Sequence, residues 1–202
     1  MFNPRDPETI SSGKAHDSPR SFQISWIDDN HIVSVGFSRG SQRRILLYRL
    51  PTSVGGEITT LSSVTIDVSP SVLFPVYDAD TSILYVWGKG ERVIQAYEVH
   101  PEDDREPIAK LPGFTGDSPQ IATVFMPKRM VDMKKVEVAK ALRLTAKTLE
   151  EVSFTIPRNK AGLFLFFCAQ TSASICLFVN VRSPISSKMT FTCPPRTLKS
   201  LL

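Results

Sequence analysis

The chain of 202 residues is poor in the side chains from which catalytic and metal centres are built. It has three cysteines, Cys168, Cys176 and Cys193, all in its last fifth. Their odd number and lack of metal-type spacing exclude a disulfide framework and imply a reducing compartment. Neither Cys168 nor Cys176 has a matching Cys/His pair, so a zinc site is not expected, and no other metal or cofactor is implied. There are three histidines, His16, His31 and His100, and each falls at a strand end or turn, as a turn or surface residue would. Met1 is followed by Asn3, Arg5, Asp6 and Glu8 rather than by an apolar run, so a secretory leader is not expected. The net charge is only +4 and gathers in no tail, which argues against nucleic-acid binding and leaves room for an acidic partner surface. Acid is also missing locally: after Glu151 there is no Asp or Glu.

What is present is short β-type runs separated by turn residues. Val72–Tyr77 is apolar, Asp78-Ala79-Asp80-Thr81-Ser82 is a turn, and Ile83–Trp87 is β-branched and aromatic. Gly88-Lys89-Gly90-Glu91 is a second turn, in which glycine can take positive φ. Arg92–Val99 is a third strand carrying Tyr97-Glu98 near its end. The order repeats upstream: Ser21–Ile27 alternates with Phe22, Ile24 and Trp26 on one face, Asp28-Asp29-Asn30 turns, and His31–Phe37 follows. Ser38–Gln42 turns again, and Arg43–Leu50 ends in Tyr48-Arg49. Tyr48 and Tyr97 stand about one WD-type period apart. Ile58–Ile66 is expected to be the outer strand of the first unit, and Lys110–Phe114 is a poorer candidate in the second. Asp78 and Asp80 have the look of paired carboxylates, but two Asp in a tight turn fit turn chemistry better than acid–base catalysis. Gly88-Lys89-Gly90 lacks the spacing of a phosphate loop and reads as a hairpin turn. Phe74, Tyr85, Trp26 and Trp87 read most simply as packing between units.

The third unit is less regular. Ile121–Met126 is a strand, interrupted by Pro127-Lys128-Arg129. Val136–Leu144 has helix-favouring composition, but its position calls for a third strand, with Leu149–Ile156 as the outer one. The resulting expectation is an all-β chain, a partial WD40-type β-propeller of about three blades of antiparallel strands. The blades are expected at about 21–67, 72–114 and 121–156 within a propeller region 21–160. Residues 1–20 would end a preceding, incomplete blade, and 161–202 would be an irregular tail. Leu163–Val181 approaches membrane-spanning length, but Gln170 and Asn180 make it a marginal span.

As a set, four stretches resemble the coronin family of actin-associated WD-repeat proteins. They are SVGFSRGSQRRILLY (Ser34–Tyr48), VLFPVYDADTSILYVWGKGERVIQAYEV (Val72–Val99), FMPKRMVDMKKVEVAKALRLT (Phe125–Thr145) and VSFTIPRNK (Val152–Lys160). The resemblance covers roughly residues 2–164 and corresponds to the later part of the family's propeller, so the chain reads as a truncated fragment. Tyr48-Arg49 stands where the family has Tyr-Asp, and Glu91 where it has Asp. Beyond Phe164 the family pattern, Phe-Gln-Asp-Asp-Ile-Tyr followed by a linker and a coiled coil, is lost. The codons of Lys188–Thr192, read two bases later, allow Asp-Asp-Ile-Tyr. We therefore expect Leu165 to about Ser187 to be translated intron and the remainder to be shifted-frame coding sequence; flanking splice signals in the nucleotide sequence decide it.

The resemblance implies a non-enzymatic scaffold that binds filamentous actin and organises the cytoskeleton, in the cytoplasm at cortical actin, with other actin regulators as further partners. Truncation should weaken this activity, and no coiled-coil segment is available for self-association. No nucleic acid is expected as a partner, and membrane association is not the favoured reading. The alternative is a general WD-repeat scaffold in membrane traffic that binds acidic peptides. The second-to-third-strand loops of successive blades open on one face, and here they carry Arg39, Arg43, Arg44, Lys89 and Arg92. These residues, with Lys128 and Arg129 added, are the candidate actin-binding set. The competing reading is that arginines flank turns for solubility.

Overall fold

The computed structural model describes residues 12–51 and 56–156 in full, together with the backbone of three strands at 2–3, 6–9 and 178–181. Cys168, Cys176 and Cys193 lie outside the described residues, as do the expected intron-derived segment and the apolar run Leu163–Val181 apart from the backbone of Phe178–Val181. A two-stranded ribbon pairs β1 (Phe2–Asn3) with β2 (Asp6–Thr9). Three four-stranded antiparallel sheets follow. The first contains β3 (Gln23–Trp26), β4 (His31–Phe37), β5 (Gln42–Arg49) and β6 (Thr59–Val68), paired in chain order. The second repeats that order with β7 (Leu73–Asp78), β8 (Ile83–Gly88), β9 (Val93–Val99) and β10 (Ile108–Thr115). The third has β11 (Gln120–Phe125), β12 (Glu137–Thr145), β13 (Leu149–Thr155) and β14 (Phe178–Val181). Each sheet is one propeller blade. No helix among the described residues is long and apolar enough to cross a membrane.

The middle blade shows why the sequence folds this way. Successive strand residues point to opposite faces. In β8, Leu84 and Val86 face the first blade, while Ile83 and Tyr85 face the third. A strand buried on both faces needs apolar residues at every position, and Ile83–Trp87 provides them. The first joint packs Val33, Val35, Ile45 and Leu47 against Leu73, Leu84, Val86, Tyr97 and Val99. The second packs Ile83, Tyr85, Ile94 and Phe114 against Val138, Ala141, Val152 and Phe154. There the Tyr85 ring lies 4.8 Å from both Phe125 and Phe154. The Tyr85 hydroxyl is buried and has no hydrogen-bond partner among the described residues.

Several strand assignments change. Leu149–Thr155 is the third strand of its blade, not the outer one: its far edge pairs with β14, Ser153 opposite Asn180. Val152, Ser153 and Phe154 are all buried, as an interior strand requires. Glu137–Thr145 is accordingly a second strand, β rather than helical, because it is paired on both sides. Trp26 is not packing between units: it is 57% exposed, as is Ile24 at 56%. On the third blade Val124, Leu144 and Leu149 are exposed as well. Thus the outward faces of the first and last blades both carry uncovered apolar side chains.

Ser12–Phe22 crosses part of the first blade's outward face. The imidazole of His16 lies 2.8 Å from the Ser34 hydroxyl, and Ser34 in turn donates to the Tyr48 hydroxyl at 3.4 Å. Gly36 admits this cover, because a Cβ there would collide with both Phe22 and His16. Burial is the main influence on His16 and holds its pKa below the usual value; Arg44 adds to the lowering and Asp17 opposes it.

Candidate functional site

Antiparallel pairing gives every blade two distinct ends. The second-to-third-strand turns and the blade-to-blade links gather at one rim. The first-to-second-strand turns gather at the other. The six residues of β8 separate the rims by about 20 Å, at roughly 3.3 Å per residue. We call the first the hairpin rim.

Arg39 sits in the β4–β5 turn, within a single 3-10 turn at Arg39–Ser41 where Gly40 has φ 69°. Its side chain is exposed. Arg44 is half-buried beside it and donates to Gln42 Oε1 at 3.2 Å. Lys89 and Arg92 flank the β8–β9 turn and are exposed, with Gly90 at φ 82° making the reversal. Lys147, in the β12–β13 turn, is the equivalent exposed cation of the third blade. Sequence reasoning passed over Lys147 because it placed that turn at the blade's outer edge.

Arg43 has a different role. Its side chain is 3% exposed and spans the first joint. Nε donates to Asp67 Oδ1 at 2.6 Å and Nη2 to Asp67 Oδ2 at 2.5 Å. Nη1 bonds Glu91 of the next blade and Ser71 in the link between them. This charge is enclosed and paired, so it is a clasp and not a contact surface. Burial would lower the Arg43 pKa, but the Asp67 and Glu91 carboxylates outweigh it and raise the value.

Arg143 closes the second joint. It is fully buried and pairs with Glu150 at 2.5 Å. It also donates to Gln120 Oε1 at 3.2 Å and to the Ser118 carbonyl, and its guanidinium lies 5.3 Å over the Phe114 ring. Gln120 extends the lock into the second blade, where its amide donates to the Gly88 and Val93 carbonyls, each at 3.1 Å. Gly116 is required beside it, since a Cβ there would collide with the guanidinium. No sequence signal marked Arg143, a lone charge inside an alternating strand. A potential partner acid, Glu150, two residues past the turn was the available clue.

Lys128 and Arg129 do not join this rim. They lie in the β11–β12 connection, at the opposite end of the blade. Lys128 Nζ pairs with Asp78 at the end of β7 and donates to the Val138 carbonyl at 2.7 Å. Asp78 also caps its own turn, accepting from the Asp80 N–H at 3.3 Å and the Thr81 hydroxyl at 2.6 Å, which is turn chemistry rather than catalysis. His31, a buried residue at the start of β4, packs against Asp28 of the matching turn in the first blade at 2.9 Å. Among the described residues, no group of three or more His, Cys, Asp or Glu could hold a metal ion.

The hairpin rim therefore divides its charges. Asp67, Glu91 and Glu150 are paired with the two buried arginines. The cations left facing solvent outnumber the exposed acids Asp17 and Asp117. The result is a basic surface on a framework fixed by clasps.

Comparison with known proteins places this framework. No family model matches the sequence. The chain is 34% identical over 166 residues to Coronin-7 of Homo sapiens, covering 81% of this chain and 17% of that protein. It is 34% identical over 164 residues to Coronin-A of Dictyostelium discoideum, covering 81% of this chain and 35% of that one. Among solved structures, the WD40 domain of Toxoplasma gondii coronin matches 72% of this chain and 37% of that chain, with a TM-score of 0.64 and 25% identity. The chain thus spans between about a sixth and about a third of the length of these two curated relatives.

Proposed function

The chain belongs to the coronin family over the four-fifths of its length that aligns, and we propose that it is a non-enzymatic scaffold that binds filamentous actin through the hairpin rim. Arg39, Arg44, Lys89 and Arg92 supply the contacts, with Lys147 extending them to the third blade. The observation that carries this reading is the division of charge on that rim. Three of the rim acids, Asp67, Glu91 and Glu150, are paired with Arg43 and Arg143, so the exposed cations of neighbouring blades outnumber the acids left facing solvent. An acidic filament surface is attracted by such an array, and the interaction weakens with salt. The exposed apolar faces of the first and last blades are where further blades would pack. In this proposal the protein works in the cytoplasm, at cortical actin.

The experiment is co-sedimentation of the full chain with filamentous actin over a salt series. Pelleting should fall as salt rises. Lys89→Glu with Arg92→Glu should abolish it, while Arg129→Glu on the opposite rim should leave it unchanged. Pelleting that ignores both salt and the rim reversal would refute the reading.

A further inference from the structure

The β11–β12 connection, Met126–Val136, is absorbed by neither the blade cores nor the hairpin rim. It is an ordered element. Two 3-10 turns, Lys128–Met130 and Met133–Lys135, are closed by backbone bonds from Met130 N to Pro127 O at 2.9 Å and from Val136 N to Met133 O at 3.1 Å. The Asp132 side chain accepts from the Lys134 N–H at 3.1 Å. The Asp132 N–H donates to buried Glu137 at 2.7 Å. Val136 completes the turn at φ 57°, and Lys128 ties the connection to the neighbouring blade through Asp78.

This fixed frame nevertheless presents apolar side chains to water. Met133 is 73% exposed and Met130 51%. Arg129 and Lys134 beside them are exposed, and the one acid in the connection, Asp132, is held by its own turn and by Lys135 at 3.4 Å. Methionine adapts its shape to varied apolar partners, and a preorganised frame loses little freedom on binding.

We propose that Met130 and Met133, flanked by Arg129 and Lys134, form a second docking surface, which takes a short acidic protein segment carrying apolar side chains. The pattern fits such a segment better than an anionic lipid surface. Stable membrane anchoring needs more apolar area or more cations than this, and the 73% exposed carboxylate of Asp80, 4.0 Å from Lys128, would face the bilayer. The surface lies on the rim opposite the proposed actin contacts, so both can be occupied at once and the scaffold can bridge two partners.

The test is fluorescence anisotropy of the full chain with two short labelled peptides of equal charge, one alternating Glu and Leu, the other Glu and Ser. The Glu–Leu peptide should bind about tenfold more tightly. Met130→Ser with Met133→Ser should remove that advantage, and Met133→Leu should retain it. Arg129→Glu with Lys134→Glu should abolish binding of both peptides. Lys89→Glu with Arg92→Glu should leave binding unchanged, which keeps this result independent of the actin assay. Equal binding of the two peptides, sensitivity to the hairpin-rim reversal, or binding to phosphatidylserine vesicles without peptide binding would overturn the proposal.

Discussion

The two joints between blades are filled with similar apolar side chains but locked by different polar devices. At the first, Arg43 reaches two carboxylates, of which Asp67 is 39% exposed and Glu91 18%. At the second, Arg143 has no exposed surface, one carboxylate, a carbonyl, the amide of fully buried Gln120 and an aromatic face. The first lock touches water, so solvent can replace part of what a mutation removes. The second touches it less, through Glu150 alone, which is 17% exposed. The comparison teaches that arginines close together on one rim do unlike work: two hold the blades together, and the others are not enclosed in a joint.

Three substitutions probe the difference. Arg143→Met should cost on the order of 3–5 kcal/mol, because fully buried Gln120 and largely enclosed Glu150 lose a charged partner. Urea unfolding measures it. Arg43→Met should cost less, about 2 kcal/mol, since Asp67 recovers hydration. Equal losses at the two sites would break the comparison. Tyr85→Phe, in the core of the second joint, should be neutral or stabilising by up to about 1 kcal/mol, because the hydroxyl it removes is buried without a protein partner. A large loss would mean that the hydroxyl is satisfied.

The smallest effect is one of pH. Burial would raise the Glu137 carboxyl, but the Asp132 N–H, the Ser153 hydroxyl and Lys140 outweigh it and hold the pKa below 4.5. A depressed acid stabilises fully above its unfolded pKa, and the contribution is lost as pH falls through the lower folded value. Glu137→Gln should therefore flatten the fall in melting temperature on acidification below about pH 4.5. An unchanged slope would remove Glu137 from the account.

Much of the fold was legible because its signals are local. The doubly apolar run Ile83–Trp87, the Asp turn at Asp78 and the glycine turn at Gly88–Gly90 each state their structure in a few residues. The third blade was harder to read, because its fourth strand, Phe178–Val181, pairs across a long sequence separation. Trp26 was misplaced because alternation shows that a face is apolar without showing that anything covers it. For the site, Arg39, Lys89 and Arg92 do lie at turns, but Arg43 and Arg44, expected in a loop, belong to β5, and sequence could not separate exposed Arg39 from enclosed Arg43. That difference is set by Asp67 and Glu91, which lie 24 and 48 residues away. Nor could it place Lys128 and Arg129 on a rim, since that depends on which strand ends the connection joins.

The central claim is that the exposed hairpin-rim cations, and not the enclosed ones, meet actin. Co-sedimentation of Lys89→Glu with Arg92→Glu, beside Arg129→Glu and the unaltered chain at low salt, tests it most directly. The account predicts that the rim reversal stays in the supernatant while the other two pellet with filaments. Pelleting of the rim reversal at the level of the unaltered chain would contradict it.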